Sequence, residues 1–202
     1  MKKLIAGAVL GFCLATTAYG DGDPEAGKAN ATVCAGCHGQ GGAQPIQPVY
    51  PKLSGLGEAY LFTQLRHIKS GDRQIPEMTG LLDNMSEQDL QDLAAYFNQQ
   101  QMPIGQANPE LVEQGKELFR GGSLAKGIPA CSGCHNPQGM GNEPAAFPRL
   151  SGQHADYVVK QLKAYRDGER STGAMSQIMI DIAAKLSDDE MEAVASYVSG
   201  LH

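Results

Sequence analysis

The sequence predicts an all-α fold assembled from two copies of one helical module. The chain matches itself at a spacing of 97 residues: Tyr50-Pro51-Lys52-Leu53-Ser54-Gly55 answers Phe147-Pro148-Arg149-Leu150-Ser151-Gly152, and Tyr60, Leu65 and Gly71 answer Tyr157, Leu162 and Gly168. Helix-start signals fall at corresponding places in both copies. No Val/Ile-rich alternating runs of the kind that make strands lie between them.

In chain order, residues 1–20 come first, with Lys2 and Lys3, an apolar run over 4–15 and small residues at Ala18-Tyr19-Gly20. This is the pattern of a cleaved secretory signal. The run is too short to anchor in a bilayer, and Phe12 before Cys13 spoils a lipoprotein-type cleavage box. Cleavage would remove Cys13 and leave 182 of the 202 residues with four cysteines.

The first module is expected over 21–100. Asp23-Pro24 opens its first helix, with a capping side chain ahead of proline at the first helical position. A middle helix follows the Leu-Ser-Gly turn and carries Tyr60, Leu61, Leu65 and Ile68 on one stripe. The last helix starts at Ser86 with Asp89 three residues on, a capping box, and buries Leu90, Leu93 and Phe97. The tract 99–108 holds Pro103 and Gly105 without a helical stripe, so 101–108 is the expected linker, short enough to keep the modules in contact.

The second module, 109–202, repeats the plan. Asn108-Pro109 stands for Asp23-Pro24, the stripe Tyr157, Gln161, Leu162 and Tyr165 marks the middle helix, and Ser187 with Glu190 caps the last. An insertion over 120–129 precedes the second cysteine motif. From Met85-Ser86 against Leu186-Ser187 the spacing becomes 101, so four residues are added between Gly168 and Leu186.

Both copies carry the same pentapeptide chemistry. Cys34-Ala35-Gly36-Cys37-His38 recurs 97 residues later as Cys131-Ser132-Gly133-Cys134-His135. Cys-x-x-Cys-His is the attachment site of c-type haem: the thiols form thioethers with the vinyl groups, and the histidine is an axial ligand of the iron. A zinc site would need four ligands close together, and a thioredoxin pair would need a strand-helix-strand setting. Neither fits Gly-rich helical surroundings. Two covalent haems would also supply the apolar surface that modules of about 90 residues otherwise lack.

The sixth ligand decides the chemistry, since a closed iron transfers electrons and an open one binds small molecules. Met78 lies in a Pro/Gly-bounded loop before the last helix of the first module. Met85, against the helix cap, and Met102, in the linker, read as packing residues. In the second module the registers disagree. Met175 follows His135 by 40 residues, as Met78 follows His38, whereas Met179 precedes Ser187 by 8, as Met78 precedes Ser86. Met179 is preferred because the ligand loop runs into a rigid helix; Met175 stays as the alternative. Met140 and Met191 read as loop and helix-face residues. Pro51 and Pro148, each 13 residues after a haem histidine, mark where a backbone carbonyl could accept the imidazole N–H. His67, His154 and His202 read as ordinary histidines.

The formal charge of −6 argues against nucleic acid as a partner. Acidic residues outnumber basic ones 10 to 5 over 21–105 and 12 to 9 over 106–202, so the first module is the more acidic.

Taken together, the two motifs, the paired Pro-Lys/Arg-Leu-Ser-Gly segments, Glu77-Met78-Thr79-Gly80, the run Glu117-Leu118-Phe119-Arg120-Gly121-Gly122 and the ending Gly200-Leu201-His202 closely resemble the dihaem cytochromes c4 over the whole mature chain. The resemblance implies two tandem class I cytochrome c domains related by a pseudo-twofold axis, with two covalently bound haem c groups facing one another. It carries the axial ligands onto His38 with Met78 and His135 with Met179. It implies a periplasmic, sometimes membrane-associated electron carrier between a quinol-oxidising complex and a terminal oxidase, not an enzyme, with no small-molecule substrate. The first ligand loop is shorter than the family pattern. The alternative function is the dihaem electron-accepting subunit of a flavocytochrome-type dehydrogenase. A dihaem peroxidase or thiosulfate dehydrogenase would need an open iron or a spare cysteine, and the mature chain offers neither.

Overall fold

The computed structural model describes residues 22–202, so the expected signal segment and Cys13 lie outside the described residues. Nine α-helices occur among them. The first half holds α1 (Pro24–Asn30), α2 (Ala35–His38), α3 (Glu58–Lys69) and α4 (Glu87–Asn98). The second holds α5 (Val112–Gly121), α6 (Ser132–His135), α7 (Ala155–Arg166), α8 (Ser176–Ala183) and α9 (Asp188–Ser199). The only pairing of extended backbone among the described residues is two isolated antiparallel bridges, Ser123 with Ile128 and Asn142 with Phe147. No described helix is long and apolar enough to cross a membrane.

Each half is a clasp of its first and last helices, with the middle helix laid against the last. In the first half α1 and α3 pack on α4, and in the second α5 and α7 pack on α9. Glycine permits the clasp. A Cβ on Gly27 would lie 1.9 Å from the Asp92 carbonyl oxygen, and one on Gly115 would lie 2.2 Å from that of Ala193. Two separate apolar cores result. Leu93, Ala94, Phe97 and Leu61 centre the first, and Phe119, Met191, Val198 and Leu186 the second.

The caps behave as their sequences dictate, with one difference. Asp23 accepts from the backbone N–H groups of Glu25 and Ala26, and Ser86–Asp89 and Ser187–Glu190 each form complete capping boxes. Asn108 also accepts, from the Glu110 N–H at 3.1 Å, but α5 starts only at Val112. Residues 108–111 close on themselves through the Leu111 N–H to Asn108 carbonyl bond, a separate turn that delays the helix.

A second difference is α8. The stretch that holds the four extra residues of the second half forms the eight-residue α8, about two turns, where the first half has the single 3-10 turn Pro76–Met78. The linker tract is pinned: Met102 is buried, and the Gly105 N–H donates to the Ser199 carbonyl.

The halves meet along a polar interface with local twofold character. Arg73 donates to Gln64 of its own half and to Gln161 and Tyr157 of the other. Arg170, its repeat equivalent, donates to Gln161 of its own half and to Gln64 and Tyr60 of the other. Each glutamine carbonyl thus accepts from both guanidinium groups.

Candidate haem sites

In both halves α2 and α6 are single turns built from the motif itself, so the second cysteine and the histidine ride on one short helix. The turn ends where the next residue takes a positive φ, at Gly39 (75°) and Asn136 (74°). That reversal brings the chain back so that Pro51 and Pro148 approach the histidines. His38 Nδ1 lies 2.9 Å from the Pro51 carbonyl oxygen, and His135 Nδ1 lies 2.9 Å from that of Pro148.

The geometry fixes the protonation of each ring. A carbonyl oxygen only accepts, so Nδ1 must carry the proton. Burial pushes both imidazoles below their ordinary pKa, so both are neutral at pH 7. A neutral imidazole protonated on Nδ1 offers the Nε2 lone pair to a metal, and the carbonyl bond holds the ring in one orientation.

Cys34 and Cys131 are half-buried, whereas Cys37 and Cys134 are exposed. Burial raises the Cys34 thiol and pushes Cys131 up to about 11, so both are protonated thiols near neutral pH. Tyr50 and Phe147, which match in the repeat, tilt against the histidine rings at centroid distances of 6.4 and 6.0 Å.

In the second half these groups line a cavity of about 330 Å³. Cys131, Cys134 and His135 stand on its wall with Met179, Met175 and Leu162. Met179 sits within α8, half-buried against the core, while Met175 is 48% exposed at the N-cap of that helix. The other methionines divide as packing and surface groups: Met85 leans on the first core, Met102 and Met191 are buried, and Met140 is exposed. Met78 closes the 3-10 turn of the first half, half-buried, with its N–H bonded to the Ile75 carbonyl.

Arg73 and Arg170, buried on the same cavity wall, form no ion pair with a carboxylate among the described residues. Burial opposes the Arg170 charge, but Tyr60, Tyr165 and Tyr157 more than offset it, and the group is held charged. Arg170 also lies 4.6 Å over the Tyr165 ring, whose hydroxyl burial pushes up to about 12. Two buried cations without anionic partners, beside an apolar slot with two thiols and a metal-competent imidazole, fit a flat apolar group that carries carboxylates and a metal. Haem is such a group. Sequence reading placed Gln161 only on a helix stripe and missed Arg73, Arg170 and Gln64, although both pairs stand at the repeat spacing and were open to the same alignment.

Residues 112–202 match the cytochrome c family, and residues 23–97 match the family described as cytochrome c oxidase, cbb3-type, subunit III. A protein of Pseudomonas aeruginosa named cytochrome c4 is 52% identical over the full length of both chains. The crystal structure of reduced recombinant cytochrome c4 from Pseudomonas stutzeri superposes with a TM-score of 0.86 at 49% identity, covering 90% of this chain and 100% of that one. A more divergent relative, named thiosulfate dehydrogenase electron acceptor in Thiomonas intermedia, is 35% identical over 98% of this chain and 91% of its own.

Proposed function

This chain belongs to the cytochrome c4 family, an electron-transfer cytochrome with two covalently bound haem c groups, and from that premise we propose a periplasmic carrier that takes electrons from a quinol-oxidising complex and passes them to a terminal oxidase. The haem supplies one-electron ferric/ferrous chemistry. On this reading Cys34 and Cys37, and Cys131 and Cys134, attach the two groups, with His38 and Met78 and then His135 and Met179 as axial ligands. An imidazole and a thioether at each site would close both faces of the iron, which would suit outer-sphere electron transfer and leave no position for a substrate. Arg73 and Arg170 would neutralise the carboxylates of the bound haems at the seam between the halves. The basic and apolar run ahead of residue 20 supports export.

The observation that carries the reading is the reciprocal Arg73–Gln161 and Arg170–Gln64 exchange, which locks the two halves in one relative placement around their haem sites. A carrier with two centres needs a fixed separation between them; an enzyme would need an open iron instead. An optical redox titration with a haem count tests it. Two haems per chain, each with the near-infrared methionine-to-ferric band and a positive potential, are expected. A haem without that band, binding cyanide rapidly and stoichiometrically at neutral pH, would overturn the closed-site reading.

One relative's printed name favours a second reading, in which the chain accepts electrons from a dehydrogenase such as a thiosulfate dehydrogenase. Stable co-purification with such a subunit, and rapid haem reduction by it on adding its substrate, would favour that reading over the quinol-oxidising donor.

A further inference from the structure

Each proximal histidine bonds to a peptide group whose other end is held by the opposite half of the molecule. The Pro51 carbonyl that accepts from His38 belongs to the same planar peptide as the Lys52 N–H, and in a trans peptide the two groups point in opposite directions. That N–H donates to Gln153 Oε1 at 2.9 Å, and Gln153 Nε2 donates back to the Lys52 carbonyl at 2.9 Å. Gln153 belongs to the second half and is 2% exposed. The Lys52 ammonium, also buried, donates to the carbonyls of Pro103 in the linker and Gly152 in the second half. The segment that carries the His38 acceptor is therefore gripped at its backbone and at its side chain from outside its own domain.

The second site is built in the same sense with a weaker grip. The Pro148 carbonyl accepts from His135, and the N–H of the same peptide, Arg149, donates to the Leu56 carbonyl of the first half at 3.2 Å. Leu56 is the repeat equivalent of Gln153, so a side-chain amide that makes two bonds to the other half, its Oε1 also accepting from the His154 N–H, stands where its counterpart offers one backbone oxygen.

We propose that Gln153 is a trans-domain positioning residue for the first haem, the terminus of a relay running from its Oε1 through the Lys52–Pro51 peptide to the His38 imidazole. Hydrogen bonds in a chain polarise one another. An acceptor on the peptide N–H makes its carbonyl a stronger acceptor, which draws the Nδ1 proton and makes the imidazole a more basic ligand. A more basic ligand favours ferric iron and lowers the potential. Domain contact thereby sets the potential of the N-terminal haem, and more strongly than it sets that of the C-terminal one. The inference rests on His38 being an axial ligand, as proposed above.

The test compares three variants of the holoprotein, following the paramagnetically shifted methyl resonances of each haem through a redox titration so that each haem reports its own potential. Gln153→Met keeps the volume and cuts the relay. The expected result is a rise in the N-terminal potential with the C-terminal one unmoved, and faster exchange of the His38 Nδ1 proton than of the His135 one. Gln153→Glu keeps an acceptor on the Lys52 N–H and strengthens it, so the N-terminal potential falls by more than the C-terminal one; this variant serves if Gln153→Met does not fold. Thr172→Val removes a different bond across the interface, from Thr172 Oγ1 to the Asp72 carbonyl, and leaves the N-terminal potential at the wild-type value. Equal shifts at both haems, shifts of one sign in both Gln153 variants, or the same shift in Thr172→Val would overturn the relay. Failure of the ligand reading has a separate signature, since the His38 ring protons of the wild type would then show no hyperfine shift.

Discussion

Replacing Gly115 by alanine sets two opposed effects against each other on one helix. Alanine in a helix interior is favoured over glycine by about 0.8–1.0 kcal/mol. Against that, the new Cβ would stand 2.2 Å from the Ala193 carbonyl oxygen, 2.6 Å from Tyr197 Cβ and 2.8 Å from the Ala193 carbonyl carbon. These are backbone and near-backbone atoms of α9, which no rotamer change moves aside, so α5 must retreat by about 1 Å to restore ordinary contact. The retreat loosens Phe119, fully buried against Tyr197. Overpacking of this kind costs about 1–3 kcal/mol, and a clash with backbone belongs at the upper end. The net expectation is a loss of about 2 kcal/mol. That loss corresponds to a fall in melting temperature of roughly 8–16 °C if the C-terminal domain melts alone, and roughly 4–8 °C if the chain melts as one unit. Gly121 on the same helix has nothing within 4 Å of its would-be Cβ, so Gly121→Ala should raise the melting temperature slightly. The assay is thermal unfolding of the ferric holoprotein by far-ultraviolet circular dichroism. Gly115→Ala melting at or above the wild-type temperature would show that helix propensity wins and refute the close-approach argument.

Met179→Ala should remove about half of the near-infrared methionine band and lower one of the two potentials, while Met175→Ala leaves both intact; the reverse pattern would move the ligand one helical turn, to Met175. Ser86→Ala and Ser187→Ala each break a complete capping box and should each cost about 1 kcal/mol in denaturant unfolding, and a loss under a few tenths would show the boxes idle. Asp188 is held down to about 2 by hydrogen bonds from Lys163 and Arg166. A depressed carboxylate contributes fully above its unfolded pKa of about 3.9, and its contribution is lost as pH falls through about 2. Asp188→Asn should therefore flatten the acid limb of melting temperature against pH below about 4, and an unchanged limb would refute the assignment.

The parts of this molecule that sequence makes legible are those whose chemistry is local. Capping boxes, the Cys-x-x-Cys-His turns and the proline carbonyls 13 residues on all close within a short span of chain, so each needs only its own residues to form. Helix α8 escaped because the stretch before Ser187 was read as a ligand loop. Its signal was present: Ile178, Met179, Ile182 and Ala183 keep helical spacing with no glycine or proline between Gly173 and Ser187, whereas Pro76 and Gly80 interrupt the first half. The late start of α5 escaped because Asn108-Pro109 can cap a helix or close an isolated turn, and the Leu111 bond that decides between them is not written in residue type. The grip of Gln153 on Lys52 spans 101 residues and has no side-chain counterpart in the repeat, where a backbone oxygen of Leu56 stands instead, so residue type at the matching positions does not point to it.

The interface is polar for a reason that connects packing to electron transfer. Burying Arg73, Arg170 and Lys52 between the halves adds little net stability, because desolvating each charge offsets what its hydrogen bonds return. An apolar seam of the same area would hold the halves together while tolerating slippage. A guanidinium that must find Gln64 on one side and Gln161 on the other tolerates none, since a shift of an ångström leaves a buried donor unpaired. The interface thus fixes the relative placement of two sites whose rate of exchange depends on that placement. The segments 50–53 and 147–150 then perform two tasks at once: each supplies the carbonyl that orients a motif histidine, the proposed axial ligand, and the N–H that docks on the other half. In such an arrangement the contact between halves and the orientation of each motif histidine cannot vary independently, and with these histidines as the proposed ligands the same holds for the ligand field each would supply.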